Sequence, residues 1–188
     1  MSTLETNLIQ PATGTTLTVG ASGDTITIPS GATFNVAGTL GSAVKNTPAF
    51  SVILSASITS GISDNTWFKI PFDSEEFDTD GCFDPTTNYR FTPDVAGKYF
   101  FNFLVYIAGL GQILTQATLN WEENGSAKSQ IYRPGIMDTV SRDGTISGSM
   151  ITGEMVATDE AYLQCYVATT RTITGSYSFF AGNKLIGV

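Results

Sequence analysis

The sequence predicts an all-β protein in which an N-terminal stalk of short repeated strands precedes an antiparallel jelly-roll sandwich. Three observations predict it. No stretch of the 188 residues repeats apolar side chains at helical spacing over a useful length. After Asn46, nine apolar or alternating runs follow one another, separated by Gly- and Pro-bearing turns. Up to Lys45 the text is instead Thr, Gly, Ser, Ala and short aliphatics, with Glu5, Asp24 and Lys45 as its charged residues and Phe34 as its aromatic. The expected division is therefore 1–45, a docking segment and stalk, and 46–188, a globular head.

In the first segment, Leu17-Thr18-Val19, Thr25-Ile26-Thr27-Ile28 and Thr33-Phe34-Asn35-Val36 alternate apolar and polar, then turn at Gly or Pro. Ile26 and Ile28 return as Phe34 and Val36 eight residues later. One such segment cannot bury enough apolar surface to offset its ordering entropy. Repeated short strands stack on copies of themselves, so Ile26, Ile28, Phe34 and Val36 are the expected core of a three-chain stalk. A Thr/Gly-rich linker is the other reading of this composition. Leu4, Leu8, Ile9, Leu17 and Val19 lie in the same nearly uncharged stretch, which makes it the expected docking contact, ordered by a partner or by sister chains.

In the head the expected strands are 49–55, 66–72, 88–92, 98–108, 114–123, 127–132, 145–156, 161–169 and 176–181. Asp94-Val95-Ala96-Gly97, Asn124-Gly125, Arg133-Pro134-Gly135 and Asp143-Gly144 mark turns between them. Regularly spaced strands with Gly-bearing turns point to a sandwich or jelly roll. The run Tyr99 to Ile107 is apolar on both faces except at Asn102. In the run from Ala161, the residues Leu163, Cys165 and Val167 suit a core, leaving Tyr162 and Tyr166 outside. Outer faces of such sheets normally read polar, and aromatics there mark subunit contacts. Tyr99, Phe101, Tyr162 and Tyr166 are thus the expected trimer interface; single exposed tyrosines are the plainer alternative.

Charge and missing residue types exclude several functions. Lys and Arg number 9 against 17 Asp and Glu, a formal charge of −8, which disfavours nucleic acid and anionic membrane as partners. With no histidine, no Ser-His-Asp triad, Cys-His pair or His-ligated zinc can form. The adjacent pairs Glu122-Glu123 and Asp159-Glu160 point to opposite faces and do not converge on one sugar. No enzyme activity, cofactor or metal is expected. Cys82 and Cys165 read as buried, reduced thiols. Glu76-Phe77-Asp78-Thr79-Asp80-Gly81 approximates a calcium loop, but Thr87 stands where such loops carry their bidentate carboxylate, so a solvated acidic loop is the reading preferred.

Connections in an antiparallel jelly roll alternate between its ends. That alternation places 109–112, 133–144 and 170–175 together, far from where the first strand begins. These loops hold Arg133, Met137, Asp138, Arg142 and Arg171, the expected binding residues, because arginine forks suit carboxylates or phosphates. Pairing of these arginines with Asp138 or Asp143 is the alternative.

Five short motifs in order carry a resemblance. They are Pro48-Ala49-Phe50-Ser51-Val52, Phe83-Asp84-Pro85-Thr86-Thr87, Phe91-Thr92-Pro93-Asp94-Val95-Ala96-Gly97-Lys98-Tyr99-Phe100-Phe101, the Leu119 strand into Asn124-Gly125, and Ser178-Phe179-Phe180-Ala181-Gly182-Asn183-Lys184-Leu185-Ile186. Together they resemble the complement-component-one-q globular domain, a relative of the tumour-necrosis-factor jelly roll. The animal members follow a signal peptide and a collagen stalk, and neither is visible here. The Thr/Gly-rich start, from Met1-Ser2-Thr3-Leu4 through Ile9-Gln10-Pro11-Ala12-Thr13-Gly14-Thr15-Thr16, resembles tailed-bacteriophage appendage shafts. The resemblance implies a homotrimeric, non-enzymatic virion protein, a fibre or spike that meets other virion proteins through residues 1–45 and whose knob serves host attachment, with a host surface glycan as the partner of its loops, or capsid or tail decoration. The alternative is a free, lectin-like binding module, calcium-assisted.

Overall fold

The computed structural model describes residues 9, 13–38, 46–60, 62, 65–110, 116–133, 142–167 and 172–186. The chain divides into two units, 1–39 and 40–188.

In the first unit the described backbone is extended and unpaired, interrupted by two like turns. Asp24 N–H donates to Ala21 O at 3.0 Å, and Ala32 N–H donates to Pro29 O at 3.1 Å. Gly23 and Gly31 hold the third position of these turns at φ 92° and 85°, the sense that a type II turn requires there. Gly14, at φ 77°, stands at the corresponding place before Leu17 and Val19. The expected short strands are therefore extended runs between turns, without ladder partners in the single chain. A strand needs a neighbour for its N–H and C=O groups, and among the described residues 13–38 none is supplied.

The second unit is all β, two antiparallel sheets face to face. Its strands are β1 (Ala49–Ile53), β2 (Thr66–Lys69), β3 (Ser74–Asp78), β4 (Phe83–Asp84), β5 (Arg90–Phe91), β6 (Tyr99–Leu110), β7 (Gln116–Glu123), β8 (Ser126–Tyr132), β9 (Arg142–Ile151), β10 (Ala161–Val167), β11 (Thr172–Ile173) and β12 (Phe179–Lys184). In the first sheet β6 pairs with β9, β11 and β12, and β12 leads through β1 to β3. The second sheet runs β4-β5-β10-β7-β8, with β2 beside β10. This is the expected jelly-roll sandwich.

Alternation along β6 fixes the core. Tyr99, Phe101, Phe103, Val105 and Ile107 point inward and are at most 2% exposed; Phe100, Asn102, Leu104 and Tyr106 point outward and are half-buried. Facing them are Ala117, Leu119, Trp121, Ala161, Leu163 and Cys165 of the second sheet. The assignment of Tyr99 and Phe101 to a trimer interface is thereby corrected. Both rings belong to a layer with Phe91, 5.2 Å from Tyr99 and 5.6 Å from Phe101, and with Phe50, 4.9 Å from Phe91. The Tyr99 hydroxyl donates to Val95 O, closing the turn that introduces β6. Gly182 completes the layer, since a Cβ there would lie 2.4 Å from the Phe101 ring and 2.9 Å from the Phe50 ring.

The acidic stretch differs from the expected loop. Ser74–Asp78 is an edge strand on β1, where one open side lets carboxylates reach water. Ser51 Oγ donates to Glu76 Oε2 at 2.7 Å across that pairing. Cys82 and Cys165 are free and buried, as expected.

Candidate functional site

With no catalytic constellation predicted, the candidate sites are the outward sheet faces. On the first sheet, cross-strand register sets Phe77 beside Ser51, Ser51 beside Ala181, Ile53 beside Phe179, Phe179 beside Leu104 and Phe100 beside Ile151. A shallow depression of about 450 Å³ lies here, lined by Ile53, Phe77, Asn102, Tyr177 and Phe179 among others. Phe77, Ile151 and Tyr177 are 52%, 60% and 63% exposed. Two carboxylates at this face are engaged, Glu76 by Ser51 and Asp143 by the Tyr106 hydroxyl at 3.0 Å. No Lys or Arg stands among these outward residues.

The second sheet presents a different surface. Register aligns Trp67, Tyr166 and Gln116 in one row across β2, β10 and β7, and Arg133 Nε donates to Gln116 Oε1 at 3.1 Å, extending it. The next row is Lys69, Gln164, Thr118 and Ile131. Tyr162 and Asn120 follow. The Trp67 and Tyr166 rings are 5.5 Å apart at 58°, and the Tyr166 hydroxyl donates to Asn65 Oδ1 at 3.2 Å. Lys69 Nζ stands 4.0 Å over the Tyr162 ring and donates to Asn88 O at 3.0 Å. Partial burial lowers its pKa, against the raising influence of Glu160. Asn120 Nδ2 donates to Gln164 Oε1 at 3.1 Å. Tyr162 and Tyr166 thus face outward as expected, but among amides and a lysine. Trp67, Lys69, Gln164 and Asn120 escaped the sequence reading; the alternation of Trp67 and Lys69 with Phe68 and Ile70 was the available signal.

Strand ends place the other expected binding residues. Thr172 pairs with Ala108, Arg142 with Leu110, and Tyr166 with Gln116, so the three loop openings share one end of the sandwich. Arg133 is exposed there. Arg142 begins β9, whereas Met137, Asp138 and Arg171 lie outside the described residues. At the opposite end, fully buried Asp159 accepts the backbone N–H groups of Asn124, Gly125 and Val156 at 2.9, 2.8 and 2.8 Å. Ile26, Ile28, Phe34 and Val36 are 62%, 47%, 72% and 37% exposed in the single chain.

Other acidic residues tie turns or pair within the fold. Asp84 accepts from the N–H groups of Thr86, Thr87 and Asn88, and the Thr86 bond leads the effects that hold its carboxyl far below the usual range. Asp78 accepts from Phe83 N–H at 2.7 Å. Glu123 accepts from Trp121 Nε1 and Gly153 N–H, and Glu160 pairs with Arg90. Among the described residues no group of three or more Cys, Asp or Glu is placed to hold a metal ion.

No family model matches this chain, and no curated protein matches it in sequence. Solved structures do. The globular domain of zebrafish complement 1qA protein aligns with a TM-score of 0.55 at 19% identity, over 75% of this chain and 98% of that one. Murine APRIL aligns at 0.53 and 7% identity, over 73% and 98%. The Eiger tumour necrosis factor of S. frugiperda aligns at 0.51 and 9% identity, over 74% and 93%. At these identities the likeness is one of fold.

Proposed function

We propose that this chain is a non-enzymatic, self-assembling structural and binding protein, a homotrimeric fibre or spike of a virion. In this reading residues 1–45 wind with sister chains and dock on the particle, and the jelly-roll head serves attachment or decoration. The observation that carries it is the exposure of Ile9, Leu17, Val19, Ile26, Ile28, Phe34 and Val36, 37–72% each, on a segment whose two turns stand eight residues apart. A repeat that cannot bury its own apolar residues is completed by copies of itself.

Two further features support assembly. Jelly-roll domains of this kind are often trimeric. The outward face of the first sheet is rich in aromatics, and no Lys or Arg is among the described residues that line its depression, the composition of a subunit contact core; it is a better candidate than Tyr162 and Tyr166, which stand beside Lys69. The virion assignment rests on the likeness of the N-terminal text to phage appendage shafts.

The test is incorporation. Wild-type chain and an Ile26→Asp/Phe34→Asp variant are each offered to particles that lack the protein. Wild type should co-sediment with particles and the variant should not. Equal incorporation of both would overturn the docking role of this segment.

A further inference from the structure

We propose that the outward face of the second sheet is a glycan-binding platform for carboxylate-bearing polysaccharide, built by Trp67, Tyr166, Gln116 and Arg133 in one row and Lys69 and Gln164 in the next. This deepens the attachment part of the reading above and does not need the trimer.

The rows have the composition of a sugar site. Trp67 is 41% exposed, large and rigid, with Tyr166 tilted beside it. Flat rings of this kind offer apolar area to the CH face of a pyranose, while neighbouring amides and hydroxyls fix orientation. Strands lie about 4.8 Å apart, so four positions in a row reach about 14 Å, room for a short oligosaccharide. The hydrogen bond from Asn120 to Gln164 aligns the two amides. It leaves the Gln164 NH₂ without a hydrogen-bond partner among the described residues, ready to donate. Thr118, at the centre and 4% exposed, holds an unpartnered hydroxyl beneath this roof. In the isolated chain the face is not saturated in polar contacts.

Charge selects the class of sugar. In a chain of net charge −8 these rows hold Lys69 and Arg133 and no carboxylate. The carboxylates of the same strands lie outside these rows: Glu122 and Glu123 end β7, and Glu160, paired with Arg90, precedes β10 and reaches Lys69 with Asp84 from its far side. Lys69 is fixed over Tyr162 with one of its donors used by Asn88 O. Arg133 is held through Nε, and its terminal guanidinium nitrogens have no hydrogen-bond partner among the described residues, which suits them to a planar carboxylate.

The experiment measures binding of the full chain to immobilised polygalacturonate, alginate and hyaluronate, with dextran and polyglutamate as comparisons. At least one uronate polymer should bind, in preference to both comparisons. Trp67→Ala should weaken that binding at least tenfold, Lys69→Met should reduce the preference over dextran, and Thr158→Ala, in the exposed turn at the opposite end of the sandwich, should leave both unchanged. Circular dichroism and the thermal midpoint of each variant separate loss of the site from loss of the fold; if Trp67→Ala does not fold, Gln164→Ala takes its place. Absence of binding to all three uronates, equal binding to dextran or polyglutamate, or indifference to the face variants overturns the proposal. A change of oligomeric state in Trp67→Ala would make this face a contact between copies and overturn it too. Sizing the same samples keeps the two readings apart: a trimer that binds no uronate fails only here, and a monomer that binds fails only the assembly reading.

Discussion

Asp159 accepts the backbone N–H of Gly125 at 2.8 Å, from a fully buried carboxylate 34 residues further along the chain. With its bonds to Asn124 and Val156, it locks the β7–β8 hairpin to the turn before β10. Asp159→Ala leaves three N–H groups without their acceptor and should cost about 3 kcal/mol, read as a lower urea midpoint at unchanged slope. A variant as stable as wild type would show that water replaces the carboxylate.

Gly182 tolerates no side chain. A Cβ would meet the Phe101 ring at 2.4 Å, and that ring is held by Phe91, Tyr99 and Phe180. Overpacking a closed layer costs about 1–3 kcal/mol, so Gly182→Ala should lower the thermal midpoint by several degrees. No change would mean that the layer repacks freely.

Both thiols should be silent in the native state. Burial pushes Cys82 and Cys165 up to about 12, and only the thiolate reacts. A thiol reagent near neutral pH should label neither in buffer and both in denaturant. Prompt labelling of native protein would contradict the packing around them.

Acid should destabilise the head through specific carboxylates. The N–H of Thr86 first, then that of Thr87, hold Asp84 below its ordinary value, and Trp121 first, then Gly153, do the same for Glu123. A group whose folded pKa is depressed contributes stability present above its unfolded pKa and lost as pH falls through the folded one. The thermal midpoint should therefore be flat near neutral pH and fall below about pH 4. Asp84→Asn should flatten that fall, and an identical acid limb in Asp84→Asn would remove Asp84 as a cause.

The strands with clean period-two text between turn residues were legible in the sequence. The missing ones had physical reasons: Phe83–Asp84 and Thr172–Ile173 are two residues long, and Ser74–Asp78 is charged because an edge strand has an open side. Tyr99 and Phe101 misled because β6 is apolar on both faces, so its text alone does not say which parity points inward. The ring layer with Phe50 and Phe91 decides it. The Trp67 row was hidden for another reason: it exists only across strands, through the register of β2, β10 and β7. In the N-terminal segment, the expected turn at Gly or Pro after an alternating run is seen at Pro29 to Ala32, with Gly31 in it, whereas the sequence reading does not single out Gly23.

Assembly is the claim on which the functional reading stands, and the mass of the intact assembly tests it most directly. Native mass spectrometry of the full chain, 20.0 kDa per copy, should show three copies at micromolar concentration, and Ile26→Asp/Phe34→Asp should weaken or abolish that species. A stable monomer for the wild-type chain would contradict the account.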